Sequence, residues 1–96
     1  MSLEFEWDPK KAKANLSKHD GVCFEEGMTV FADPLAKIFK DEEHSYDEER
    51  EIMIGHSTRH RLVLVSFAAT GDRVRIFSAR EATATERKNY EENVES

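Results

Sequence analysis

The sequence predicts an α+β fold: an antiparallel sheet of about four to five strands, two helices near the N-terminus and one helix at the C-terminus. Three observations predict it. Apolar runs of strand length recur between residues 35 and 79, separated by turn or polar segments. Two helical patterns with recognisable start and stop residues precede most of those runs. A single capping box follows them. With 96 residues and 11.1 kDa the chain has room for one small domain over 1–96 and no second core.

Residues 3–7 (Leu-Glu-Phe-Glu-Trp) alternate apolar and acidic side chains, the pattern of a half-buried strand. Asp8-Pro9 then opens a helix, with Asp8 as cap and Pro9 at the first helical position, where its missing N–H is no loss. The helix is expected to run to about Asp20 and to stop at Gly21. On it Ala12, Leu16 and His19 share one face, and Lys11, Asn15 and Lys18 form the adjoining stripe. A shorter helix covers 24–31, with Phe24, Met28 and Phe31 at helical spacing, and Asp33-Pro34 ends it. Cys23 and Glu26 have capping-box spacing, with a thiol in place of the usual hydroxyl.

A short strand is expected over 35–40, an acidic connection over 41–49, and three strands over about 50–56, 60–68 and 73–79. The run Leu62-Val63-Leu64-Val65-Ser66-Phe67 is almost wholly apolar, so this strand should be central and covered on both faces. Gly71-Asp72 signals the turn after it. Thr83 and Glu86 form the capping box of a last helix over 84–94.

The net charge of −6 excludes a uniformly basic nucleic-acid binder, but the charge is uneven. Residues 41–54 carry 1 basic and 7 acidic side chains, whereas 55–80 carry 5 arginines and 1 aspartate. The uncharged stretch 62–71 is too short to span a bilayer, and the acidic start is not a secretory signal, so a cytoplasmic protein is expected. A lone cysteine, Cys23, excludes an internal disulfide and a thiolate zinc cluster. No histidine pair has zinc spacing, and no metal or other cofactor is expected.

Strand parity places the arginines. A two-residue turn at Gly71-Asp72 puts Arg61 and Arg80 on one face, and an even loop after His56 brings that histidine opposite Arg61. The shared face then reads Ile52, Ile54, Val63, Val65, Phe67, Val74 and Ile76, with His56, Arg61 and Arg80 crowded at one end. Arg73, Arg75 and Phe77 fall on the reverse face with Leu62 and Leu64. Crowded cations are costly unless an anion joins them. That anion is either a bound phosphate or an internal carboxylate from Glu48, Glu49 or the acidic last helix.

The chain resembles the BrnT toxins of bacterial BrnT/BrnA toxin–antitoxin pairs over residues 5–90. The pieces that carry the resemblance include Phe5-Glu6-Trp7-Asp8, Lys11, Asn15, Lys18-His19, Phe24-Glu25-Glu26, Val30-Phe31-Ala32-Asp33-Pro34 and Glu49-Arg50. Gly55, Arg61, Arg75-Ile76-Phe77-Ser78-Ala79-Arg80, Thr83, Glu86-Arg87 and Tyr90 complete them. The resemblance implies a RelE-like toxin that cleaves RNA without metal, inhibits growth and is neutralised by a BrnA-like ribbon-helix-helix antitoxin. DNA would then be met only through the antitoxin.

Metal-free RNA cleavage needs a base for the ribose 2′-OH, cations on the crowded phosphorane and an acid for the leaving 5′-oxygen. Arg61 and Arg80 are the candidates for the phosphate, since a guanidinium offers a charged two-pronged fork. His19 is the candidate for proton transfer, with an ordinary pKa of about 6.5. Lys18, His56, Arg73 and Arg75 are the candidates for holding the RNA backbone. The competing expectation is a non-catalytic binding module whose arginines receive an acidic partner segment.

Overall fold

The computed structural model describes residues 3–18, 22–44 and 48–94. The elements are β1 (Glu4–Glu6), α1 (Pro9–Lys18), α2 (Phe24–Val30), β2 (Lys37–Lys40), β3 (Glu51–His56), β4 (Leu62–Thr70), β5 (Arg73–Glu81) and α3 (Ala84–Val94), with a single 3₁₀ turn at Glu42–His44. They form one five-stranded sheet in the order β1-β5-β4-β3-β2. Strands β2 to β5 are antiparallel neighbours, as expected, and β1 adds in parallel beside β5, so the sheet is mixed. Alternation within 3–7 announces a strand but carries no information on pairing direction.

Local chemistry sets the helix boundaries. The Asp8 side chain accepts the Lys10 N–H at 2.9 Å and starts α1. The Cys23 sulfur accepts the Glu26 N–H at 3.4 Å, so the thiol caps α2, though at a longer distance than a hydroxyl would. At α3 the capping box closes both ways: Glu86 N–H to the Thr83 hydroxyl at 3.2 Å, and Thr83 N–H to the Glu86 carboxylate at 2.9 Å.

The sheet has a core on each face. On one side α1 and α2 cover Val63, Val65, Phe67, Val74, Ile76 and Ala79, together with Met53. On the other, Tyr90 of α3 packs with Ile54, Leu62 and Leu64. Double coverage of β4 follows from its nearly continuous apolar run. Past β1 the outer edge of β5 is finished by Asn15 of α1. Its buried carboxamide donates to the carbonyls of Ala79 (2.8 Å) and Val22 (3.0 Å) and accepts the Ala79 N–H at 3.2 Å. Among the described residues no helix is long and apolar enough to cross a membrane.

Two single-residue features overturn the expected parity. The loop after β3 is odd: Ser57 N–H donates to the Arg61 carbonyl at 2.9 Å, and three residues, ending in His60 at φ 63°, close it. His56 therefore pairs with Leu62, not Arg61, and Ile52 and Ile54 move to the α3 side. The second feature is a bulge in β5. Thr70 pairs with Arg73 and Phe67 with Ile76, but beyond the bulge Ser66 pairs with Ser78 and Leu64 with Arg80. Phe77 is the extra residue, and one extra residue reverses every side chain that follows. Arg80 thus faces the α3 side, whereas Arg61 faces the α2 side.

Candidate functional site

The expected meeting of His56, Arg61 and Arg80 does not occur. Arg61 reaches α2, where one fork of its guanidinium grips Glu26: Nε–H donates to Oε2 at 2.9 Å and Nη2 donates to Oε1. The Glu26 side chain is 2% exposed, and its Oε2 also accepts the Ser57 hydroxyl at 2.7 Å. The Arg61 hydrogen bond holds the Glu26 carboxyl below its usual range, against burial, with help from Ser57. This cluster pins the 57–61 loop to α2 and leaves Arg61 internally neutralised.

His56 lies on the α3 side of the sheet. Its backbone N–H donates to Asp33 Oδ2 at 2.7 Å, its Nδ1 stands 3.7 Å from the same oxygen, and its ring meets the Tyr90 ring edge-on at 5.6 Å. Lys18 is the exposed last residue of α1, on the stripe of Lys11 and Asn15. His19 lies outside the described residues.

What the bulge does bring together is a row along β5. Arg73, Arg75, Phe77, Ser78 and Arg80 all face the α3 side. At the turn end, exposed Arg73 and Arg75 pair loosely with Glu4, Glu6 and Glu48 at 3.2–3.8 Å. Exposed pairs of this kind contribute little and exchange readily with other anions. Farther along, the face not covered by α3 opens into a groove of about 310 Å³. Its walls carry Lys11, Arg50 and Arg80 with Asp41; its floor is Ile52, Leu64, Ser66, Phe77 and Ser78. The Arg50 guanidinium lies 3.9 Å from the centroid of the Phe77 ring, and the Lys11 ammonium 5.3 Å from it.

Arg80 is held by Glu86, Nη1 and Nη2 each donating to one carboxylate oxygen at 2.8 Å, and Nη1 also donates to the Glu81 carbonyl at 3.3 Å. The second fork of the guanidinium, Nε–H with the remaining Nη2–H, has no partner among the described residues. A guanidinium fork of this kind can bond two phosphate oxygens. An internal carboxylate was thus the right expectation for Arg80 (from the last helix), and for Arg61 it comes from α2 instead. Sequence reasoning missed Lys11 and Arg50 as site residues. Lys11 stood on a visible stripe with Asn15 and Lys18, but Arg50 was hidden within the strongly acidic segment.

The Arg80 hydrogen bond, opposed by burial and aided by Thr83, holds the Glu86 carboxyl down at about 2. A group whose folded pKa lies below its unfolded value stabilises the fold above the unfolded value and loses that contribution as pH falls through the folded one. Thermal stability should therefore fall progressively as the pH drops from about 4.5 to about 2, and Glu86→Gln should flatten part of that slope. An unchanged slope in the variant would contradict the assignment.

A family model described as "Ribonuclease toxin, BrnT, of type II toxin-antitoxin system" matches residues 7–86. The fold is similar to the 1.1 Å crystal structure of the Brucella abortus ribonuclease toxin BrnT, with a TM-score of 0.66 and 24% sequence identity. That likeness covers 85% of this chain and 99% of the Brucella chain. No curated protein matches.

Proposed function

Because the chain belongs to the BrnT family of toxins of type II toxin–antitoxin systems, we propose that it is a metal-independent endoribonuclease that cleaves RNA by attack of the ribose 2′-OH and so inhibits translation. An antitoxin is the implied partner, and we take it to be a BrnA-like ribbon-helix-helix protein. The observation that carries the reading is the unpartnered fork of Arg80 in a groove that also holds Lys11 and Arg50. Three cations around one opening suit a phosphate whose charge grows toward a phosphorane, and each preorganised donor of this sort is worth roughly 2.7–4 kcal/mol to a transition state.

In this reading Arg80 grips the scissile phosphate, with Lys11 and Arg50 beside it. Arg73 and Arg75 hold the RNA backbone toward the turn, exchanging their loose carboxylate partners for phosphates. Lys18 extends the cationic stripe of α1. His19 follows Lys18 in the chain and is assigned proton transfer at the 2′-OH. His56 is a peripheral RNA contact at the far side of α3. Arg61 leaves the phosphate seat: its work is to hold Glu26 and the 57–61 loop.

Purified protein freed of its antitoxin should cut RNA equally with and without chelator, leaving 2′,3′-cyclic phosphate ends. A single 2′-deoxy substitution at the cleaved nucleotide should stop it. Cleavage abolished by chelator would contradict the metal-free chemistry. The second reading, a non-catalytic module, draws on the fact that Arg61 and Arg80 each already hold a glutamate. It predicts tight complex formation with a partner and no cleavage of RNA under either condition.

A further inference from the structure

Phe77 is a large aromatic side chain that belongs to neither apolar core. It is the extra residue of the β5 bulge, and bulges beside active sites serve to re-aim a side chain. Here the bulge turns two consecutive residues, Phe77 and Ser78, to the same groove. The half-buried ring is in contact with the Arg50 guanidinium, 3.9 Å from its centroid, and has the Lys11 ammonium at 5.3 Å. Core packing does not account for an aromatic residue placed among cations.

Aromatic rings and guanidinium planes are the two side-chain surfaces on which nucleobases stack. Phe77 with Arg50 laid against it joins both, at the floor of the groove that holds the unpartnered Arg80 fork. Ser66 and Ser78 stand directly opposite one another beside the ring, and their hydroxyls have no hydrogen-bond partner among the described residues. They supply donors and acceptors for the edge of a base or for a ribose hydroxyl.

We propose that the Phe77–Arg50 stack is a nucleobase platform that seats one unpaired base next to the phosphate gripped by Arg80, which makes the substrate single-stranded RNA. The proposal rests on the ribonuclease reading above and adds a subsite to it. A base inside a duplex is stacked and paired already, and reaches the platform only by leaving its helix. Single strands therefore bind in preference to duplexes of the same sequence.

The test uses a short RNA carrying 2-aminopurine and a 2′-deoxy nucleotide at the cleavage point, so that binding is read without turnover. The wild-type protein should quench the 2-aminopurine on binding, and a duplex of the same sequence should not be quenched. Phe77→Leu, which keeps apolar bulk at the bulge, should lose the quench and bind at least about fivefold more weakly. Phe77→Tyr, which keeps the ring, should retain both. Equal quench and affinity in the Leu variant, or loss of both in the Tyr variant, would overturn the platform. Cleavage of unmodified RNA is scored in parallel. Cutting by a wild type that shows no quench removes the platform and leaves the nuclease; a quench without cutting does the reverse.

Discussion

Arg80→Ala lowers RNA cleavage about 100- to 1,000-fold, the loss expected when one preorganised donor is removed from a developing oxyanion. The fold should survive. Glu86 retains its capping box with Thr83, and the Arg80–Glu86 pair is 37% and 31% exposed, so its removal costs at most about 1 kcal/mol. Arg80→Lys should not restore activity, because an ammonium cannot keep Glu86 on one fork and offer the other to phosphate. Cells expressing either variant should grow where those expressing the wild type stop. Full toxicity in both would remove Arg80 from the site.

Arg61→Ala should act in a different way. It leaves the Glu26 carboxylate, 2% exposed, without its main partner, and breaking a buried pair in this manner typically costs about 3–5 kcal/mol. For a chain of this size each kcal/mol is worth roughly 4–8 °C, so the melting temperature should fall by about 12 °C or more. The double variant Glu26→Gln, Arg61→Met should recover part of the loss, since it removes both charges together. At a temperature where Arg61→Ala is folded, its single-turnover cleavage should lie within about tenfold of wild type, well short of the loss expected for Arg80→Ala. An unchanged melting temperature with cleavage abolished would put Arg61 back on the phosphate. The distinction matters in cells, where an unfolded toxin and an inactive one give the same growth.

The contrast between these two arginines shows how far the sequence could be read. Signals confined to a few neighbouring residues were legible: Asp8 ahead of Pro9, the Thr83–Glu86 box, the Gly71-Asp72 turn, and the apolar run that makes β4 central. The placement of Arg73, Arg75 and Phe77 on one face also followed from simple alternation, because the faces exchange only after Phe77, the bulged residue itself. What failed was parity carried past a single-residue irregularity. His60 takes a positive φ that no glycine announces, and nothing in Ile76-Phe77-Ser78 marks a bulge. Each feature inserts one residue, and one residue exchanges the two faces of a strand.

The partners of the arginines were illegible for another reason. Glu26 and Arg61 are 35 positions apart, and only the packing of α2 on β3 and β4 brings them together. The groove itself is assembled from α1, the segment before β3, and strands β3, β4 and β5. Its most informative member, Arg50, is the one basic residue in the stretch 41–54, whose net charge is −6. Local charge balance says little about a site gathered from distant segments.

The most direct measurement is a titration of isotope-labelled protein with a short RNA made uncleavable by a 2′-deoxy nucleotide, followed by backbone and side-chain NMR shifts. The account predicts that the largest changes fall on Ser66, Phe77, Ser78 and Arg80, with the side chains of Lys11 and Arg50. Changes concentrated on Ser57 to Arg61, with the β5 groove silent, would contradict it.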